Sequence, residues 1–391
     1  MGSEMCIRDS IRRDGLKFIG EDFHTKLNKS ALRPGDVVIV RTGKPGACAV
    51  IPEWLEEANC SDLVVARCGP RLRPRFLCYV VNSIAGQHID SHIVGAVQQH
   101  FNVGSARTLE FGLPDVAEQD EVLALLGSLD DKIDLNRRMN ETLEAIARAI
   151  FKDWFVDFGP TRAKAAGRDP YLAPEFWDLF PDALDDEGKP VGWDQGTLSM
   201  LAKVNSESWS KTDAPEEVVY VDLANTKWGS IDVVQHFLWR DAPSRAKRIL
   251  RPRDTIVGLV RPGNGSFAFV SIPGLTGSTG FAVLRPRELR YAQLVYLSAT
   301  APENIERLAH LADGAAYPAV RLEAVAATEV AIACDAVTTL FSTMVSSIID
   351  RIESNKIENQ TLAQTRDLLL PKLMSGEIRL RGAEKAMDAV A

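Results

Sequence analysis

Leu129-Asp-Asp-Lys-Ile133-Asp-Leu-Asn136-Arg-Arg-Met-Asn140-Glu-Thr-Leu143-Glu144 places its apolar residues and its two asparagines at alternating steps of three and four. Extended both ways, the seam runs Leu126, Leu129, Ile133, Asn136, Asn140, Leu143, Ala147, Ile150 and Trp154. This is the heptad spacing of a coiled coil. The pattern returns 219 residues on as Val345, Ile348, Ile352, Asn355, Asn359, Leu362, Arg366, Leu369 and Leu373. An amide inside an apolar seam costs stability but penalises slipped registers, because it is satisfied only when it meets another amide. Asn136, Asn140, Asn355 and Asn359 are therefore expected to set the register of two helices packed on each other. The plain alternative is a pair of amphipathic helices whose asparagines face water.

The duplication reaches beyond the helices. Leu32-Arg-Pro-Gly-Asp36-Val-Val-Ile recurs as Leu250-Arg-Pro-Arg-Asp254-Thr-Ile-Val, 218 residues on, each copy reading as a tight turn followed by a β-branched strand. Ser61–Arg67 is echoed by Ser278–Arg285, and Tyr79 by Tyr296. The chain is thus a tandem repeat of a β-rich part followed by a long helix. The expected fold class is α+β, with two β-rich domains separated by two long helices that pack as an antiparallel coiled coil, related by a pseudo-two-fold. The boundaries read as 1–112, first β-rich domain; 113–160, first helix; 161–190, linker; 191–331, second β-rich domain; 332–377, second helix; and 378–391, flexible tail. A helix from near Glu118 to near Val156 would be about 57 Å long. Antiparallel packing would set two related but unequal modules at the two ends of a spacer. Duplex DNA with two half-sites is a ligand of that kind.

The 391 residues carry a formal charge of −8, with 46% hydrophobic and 25% charged residues, the balance of a globular chain large enough for two or three domains. No run approaches the roughly 18 apolar residues of a membrane span, and no basic-then-apolar secretory leader is visible, so a cytoplasmic location without membrane contact is expected. The six cysteines form no C-x-x-C pair and read as reduced thiols. The acidity is concentrated in residues 113–190, whereas residues 240–261 hold Arg240, Arg245, Lys247, Arg248, Arg251, Arg253 and Arg261 against Asp241 and Asp254. Beside them, Pro262-Gly-Asn264-Gly-Ser266 forms a loop whose amides could approach a phosphate or an adenine edge. Arg33, Arg41 and Lys44 occupy comparable places in the first copy. The DNA-binding candidates are therefore Arg33, Arg41, Lys44, Arg245, Lys247, Arg248, Arg251, Arg261 and Asn264. Any one of these arginines could instead merely solvate a sheet.

Catalytic signals are weak. Gly43-Lys44 and Gly188-Lys189 are each followed by proline, which removes a phosphate-cradling P-loop. Asp169-Pro170-Tyr171 has one of the two prolines of an adenine-methyltransferase tetrapeptide. Pro181-Asp182 with Glu187-Gly-Lys189 superficially resembles a Mg²⁺ nuclease motif, but its gap is too short for two strands. His88-Ile-Asp-Ser-His92 has the spacing of a metal pair without a glutamate base, and is expected to be surface or capping. No catalytic or metal residue is assigned.

Leu113-Pro-Asp-Val-Ala-Glu118-Gln119, the Leu129–Glu144 run, Ile150-Phe-Lys-Asp-Trp154-Phe-Val-Asp-Phe158 and Arg162-Ala-Lys164 together resemble the central region of the specificity subunit of a type I restriction-modification enzyme. Val191-Gly-Trp193-Asp-Gln-Gly-Thr-Leu198 resembles the opening of a target recognition domain, Gly280–Pro286 its later strand, and Asp350–Gly376 the closing helix. The resemblance implies two target recognition domains, each reading half of a split site in double-stranded DNA, and helices that dock two methyltransferase subunits. It implies a non-catalytic chain without its own cofactor, S-adenosylmethionine in the methyltransferase partners, and ATP and Mg in motor-nuclease subunits. The sequence departs from the pattern in three ways: the first module has no counterpart of Trp193 and looks truncated, Met1–Ser10 looks like a foreign leader, and the second helix lacks the Pro-x-x-x-Glu-Gln start. A coiled-coil assembly scaffold without sequence reading is the alternative.

Overall fold

The computed structural model describes residues 6–7, 10–11, 16–42, 46–82, 103–210, 212–314 and 317–378. Lys44, His88–His92 and the tail beyond 378 lie outside the described residues. The chain divides into two compact units, Met1–Arg137 with Lys356–Ala391, and Arg138–Asn355.

Both expected helices form. They span Val116–Phe155 and Asp335–Met374, each of 40 residues, with bounds that differ by the same 219 as the sequence repeat. Each would be about 60 Å long at 1.5 Å per residue. The first is started by Asp115, whose carboxylate accepts the Glu118 N–H at 2.9 Å, satisfying one of the donors every helix N-terminus leaves open. In the first unit, Val122 and Leu126 pack with Leu370 and Leu373, and Asn136 Nδ2 donates to Asn359 Oδ1 at 3.0 Å. In the second, Asn355 Nδ2 donates to Asn140 Oδ1 at 2.8 Å, and Trp154 meets Phe341 at 6.0 Å between ring centroids. In each unit the early part of one helix meets the late part of the other, so the pairing is antiparallel. The amides face each other, with Asn136 and Asn355 buried and Asn140 and Asn359 half-buried.

The second unit contains two four-stranded sheets. One orders Gln235–Leu238, Glu217–Val221, Leu275–Ser278 and Ala246–Ile249; the other orders Phe267–Phe269, Thr255–Gly258, Phe281–Pro286 and Ala202–Val204. Thr255–Gly258 is buried throughout, because period-two alternation sends Ile256 and Val283 into a core shared with Val221, Leu250 and Leu275, while Val257, Ala282 and Leu284 face a second core. The wholly buried helix Ala292–Ala299 lies in that second core. Residues 161–190 link by packing. Trp177 and Phe180 are buried, and Phe180, Trp154, Phe155, Trp193 and Phe341 make one aromatic group, with Trp154 edge-on to Phe180 at 5.0 Å.

In the first unit, Val37–Val40 lies between Cys48–Val50 and Leu63–Ala66, and Ala31–Leu32 pairs with Ala58–Asn59. The pairing Val37↔Ala66 has its copy in Thr255↔Leu284. The helical residues 74–82 bring Phe76, Tyr79 and Val80 onto the Val122–Leu126 and Leu370–Leu373 cluster.

Candidate nucleic-acid interface

The repeated Leu-Arg-Pro-x-Asp turn builds a clasp. Asp254, 1% exposed, accepts the Arg251 N–H at 2.8 Å and two bonds from the Arg285 guanidinium at 3.0 and 2.9 Å. Arg285 also donates to the Ile249 carbonyl at 3.1 Å. Asp36 repeats this, accepting Arg33 N–H at 3.0 Å and Arg67 Nε at 3.1 Å, while Arg67 donates to the Ala31 carbonyl at 2.9 Å. The third turn position is left-handed in both copies, at Gly35 with φ 84° and Arg253 with φ 75°. It donates its N–H to Ile51 O and Val270 O respectively. A charged residue is thus used in each module to fix a turn next to the central strand.

That geometry divides the basic run 240–261. The Arg251 guanidinium forks onto Glu207 at 2.8 and 3.0 Å, a bidentate pair that Arg285 joins. Hydrogen bonds from Arg251 and then Arg285 hold the Glu207 carboxyl below the usual range. Arg248, half-buried, donates to Ser208 Oγ at 3.0 Å, and burial lowers its guanidinium pKa. The outer side of its strand is covered, since Trp209 N–H donates to Lys247 O at 2.8 Å. Arg245 and Lys247 are exposed. The Arg245 carbonyl accepts Thr279 N–H, and the next residue, Gly280, accepts Leu259 N–H, both at 2.8 Å. Arg245 therefore sits at the end of the module where the Arg261 loop emerges, whereas Arg251 sits at the opposite end of Thr255–Gly258. In the first unit, Arg33 is exposed with its N–H in the clasp, and Arg41 follows the central strand, 3.6 Å from Asp62.

The Arg261 loop is held from two sides. Arg261 has φ 49°, donates its N–H to Pro318 O at 2.7 Å, and lays its guanidinium over Tyr317 at 5.0 Å from the ring centroid. Asn264 is exposed on the following turn, while Ser266 points inward and donates to Leu223 O at 3.0 Å. Against this loop lies a residue that sequence reading missed. Trp228, at the turn between Thr226–Lys227 and Ser230–Ile231, donates its N–H to Gly265 O at 2.7 Å. A visible signal was the tripeptide Lys227-Trp-Gly229 between two short strands, a bulky aromatic where turns ordinarily hold small polar residues.

The helices are tied to both modules by tyrosines. Tyr79 donates to Asp130, which also holds the buried Arg366 at 2.7 Å. Tyr296 donates to Glu144 at 3.4 Å, and Glu144 pairs with Arg148 at 2.7 Å. Gln119, completely buried, accepts Arg73 N–H and donates to Arg71 O and Pro114 O, each at 2.9 Å. This clamp gives the Pro-x-x-x-Glu-Gln start its physical meaning. In the nuclease-like stretch, Asp182 pairs with Lys164 at 3.0 Å, and Lys189 is taken up by Asp185 and Glu187. Among the described residues no group of three or more His, Cys, Asp or Glu could hold a metal, and no helix is long and apolar enough to cross a membrane.

No family model matches the chain. It is 26% identical over 324 residues to the type I restriction enzyme HindI specificity subunit of Haemophilus influenzae, covering 70% of each chain. It is 23% identical over 290 residues to the type I restriction enzyme MjaIX specificity subunit of Methanocaldococcus jannaschii, covering 70% of this chain and 62% of that one. Among solved structures, a type I restriction-modification system S subunit from M. genitalium aligns over 88% of this chain and 83% of its own, with 16% identity and a TM-score of 0.49. In sequence, and over 70% of its length in each case, the chain is similar to two type I restriction enzyme specificity subunits.

Proposed function

We propose that this chain is the non-catalytic, DNA-reading subunit of a type I restriction-modification complex. The observation that carries the reading is a duplication that keeps its frame and varies its loops. The clasp, the central strand and the asparagine seam are repeated, while Arg41-Thr42 in one copy stands where Leu259-Val260 stands in the other. Related frames with different loops suit two unequal half-sites. The paired helices would dock two methyltransferase subunits carrying S-adenosylmethionine, and motor-nuclease subunits would supply ATP and Mg chemistry. The chain itself acts in the cytoplasm with the DNA.

The test is to express the chain with its methyltransferase partner and map N6-methyladenine across the host genome. The expected result is methylation at one two-part sequence that disappears when this chain is omitted. An unchanged methylation map without the chain overturns the reading.

A further inference from the structure

We propose that Trp228 is a specificity-determining residue of the second module, its indole packing against base edges of the target duplex beside hydrogen bonds from Arg261 and Asn264. This deepens the DNA-reading function proposed above and rests on it. Trp228 is 66% exposed, yet it is held in place. The atoms Cδ2, Cε2 and Cε3 of its ring lie 2.6 to 2.9 Å from where a Cβ on Gly265 would stand, so the indole rests on the bare glycine of the Arg261 loop. Its ring meets that of buried Phe267 at 5.7 Å between centroids, nearly perpendicular. An exposed aromatic fixed by a backbone bond, a glycine seat and a core ring is preorganised and does not drift over the surface.

The backbone strengthens the case. Trp228 and Arg261 have φ 48° and 49°, a left-handed conformation that bulky residues rarely adopt. Strain of this kind concentrates where a side chain must be aimed. Here two neighbouring loops each hold one such residue with an exposed side chain. Arg261 is oriented further by Tyr317 beneath its guanidinium. The chemistry fits base edges in the major groove: a guanidinium forks onto guanine, an amide onto adenine, and an apolar surface meets the thymine methyl. The cations suited to phosphates are Arg245 and Lys247.

The experiment uses the full chain assembled with its methyltransferase subunits. Binding is measured on the cognate duplex and on duplexes altered in either half-site, over a salt series, for the parent, Trp228→Ala, Trp228→Phe and Arg261→Lys. Trp228→Ala is expected to lose roughly tenfold discrimination in one half-site, with the other half-site, the salt slope and complex assembly unchanged. Trp228→Phe should recover part of the loss, and Arg261→Lys should relax the same half-site. Unchanged discrimination in the assembled Trp228→Ala complex overturns the proposal and leaves the DNA-reading function standing. Loss of assembly in both Trp228 variants overturns it in favour of a protein contact. A parent complex that does not discriminate overturns the DNA-reading function itself.

Discussion

Asp36 and Asp254 perform the same task in two copies of one turn, but their arginines differ in exposure. The Arg285 side chain is 16% exposed and Arg67 is 56% exposed, against aspartates at 1% and 6%. Asp254→Ala removes the buried partner of a largely buried guanidinium, leaving it Glu207 and the Ile249 carbonyl, and should cost about 3 kcal/mol, whereas Asp36→Ala leaves one that water can reach and should cost about 1 kcal/mol. Urea midpoints of the two variants check this ordering. Glu207 adds a pH dependence. Its carboxyl is held below the ordinary 4.5 by Arg251 and Arg285, so its contribution is fully present above that pH and is lost as pH falls through the depressed value. Glu207→Gln should therefore narrow the difference between melting temperatures measured at pH 7 and in the acid range. The Leu-Arg-Pro-x-Asp repeat was legible from sequence, but its role was not. The clasp depends on Arg67 and Arg285, each 31 residues beyond its aspartate, and no local pattern announces that pairing.

At the scale of elements, the helices were the most legible part, because steps of three and four sustained over nine positions match the turn of an α-helix and no strand period. The register pairs Asn136 with Asn359 and Asn140 with Asn355, and the sequence repeat exchanges one pair for the other. What the seam did not reveal is which polar residues would be charged and buried. Arg366 stands at a seam position only 7% exposed, because Asp130 receives it. Arg366→Leu leaves Asp130 with Tyr79 and Arg75, and should cost about 3 kcal/mol despite the more apolar seam. Asn355→Leu alone leaves the Asn140 amide against leucine, and should cost about 1–3 kcal/mol. Replacing all four asparagines by leucine should instead raise thermal stability and loosen register. Thermal melts joined to disulfide trapping between cysteines introduced across the seam separate the two effects. A less stable quadruple variant would mean that the amides do more than set alignment, as the Asn136 bond to Glu358 at 2.7 Å suggests.

At the scale of the whole molecule, the charge of −8 conceals a division of labour that linear charge counting could not resolve. Residues 240–261 look like one basic patch in sequence, but the strand Thr255–Gly258 separates its two ends. Arg251 is engaged by Glu207 at one end, while Arg245 lies at the other with Arg261 and Asn264. Only the folded connections through Thr279 and Gly280 distinguish these roles. Arg245→Ala with Lys247→Ala should weaken binding to all DNA and reduce the salt slope by about one unit for each phosphate no longer neutralised. Arg251→Ala should leave the slope unchanged and act through Glu207. The loop residues should behave differently again, because phosphate contacts carry no sequence information whereas a side chain at a base edge discriminates by about 1–3 kcal/mol. Each module has its own central strand and clasp, so on the proposed function exchanging residues 259–266 for the equivalent loop of a type I specificity subunit should alter one half of the methylated sequence. The other half, and the gap between them, should stay as they were. Methylome sequencing of a host carrying the exchanged chain reads all three at once. A change in both halves would mean that the two copies do not read independently.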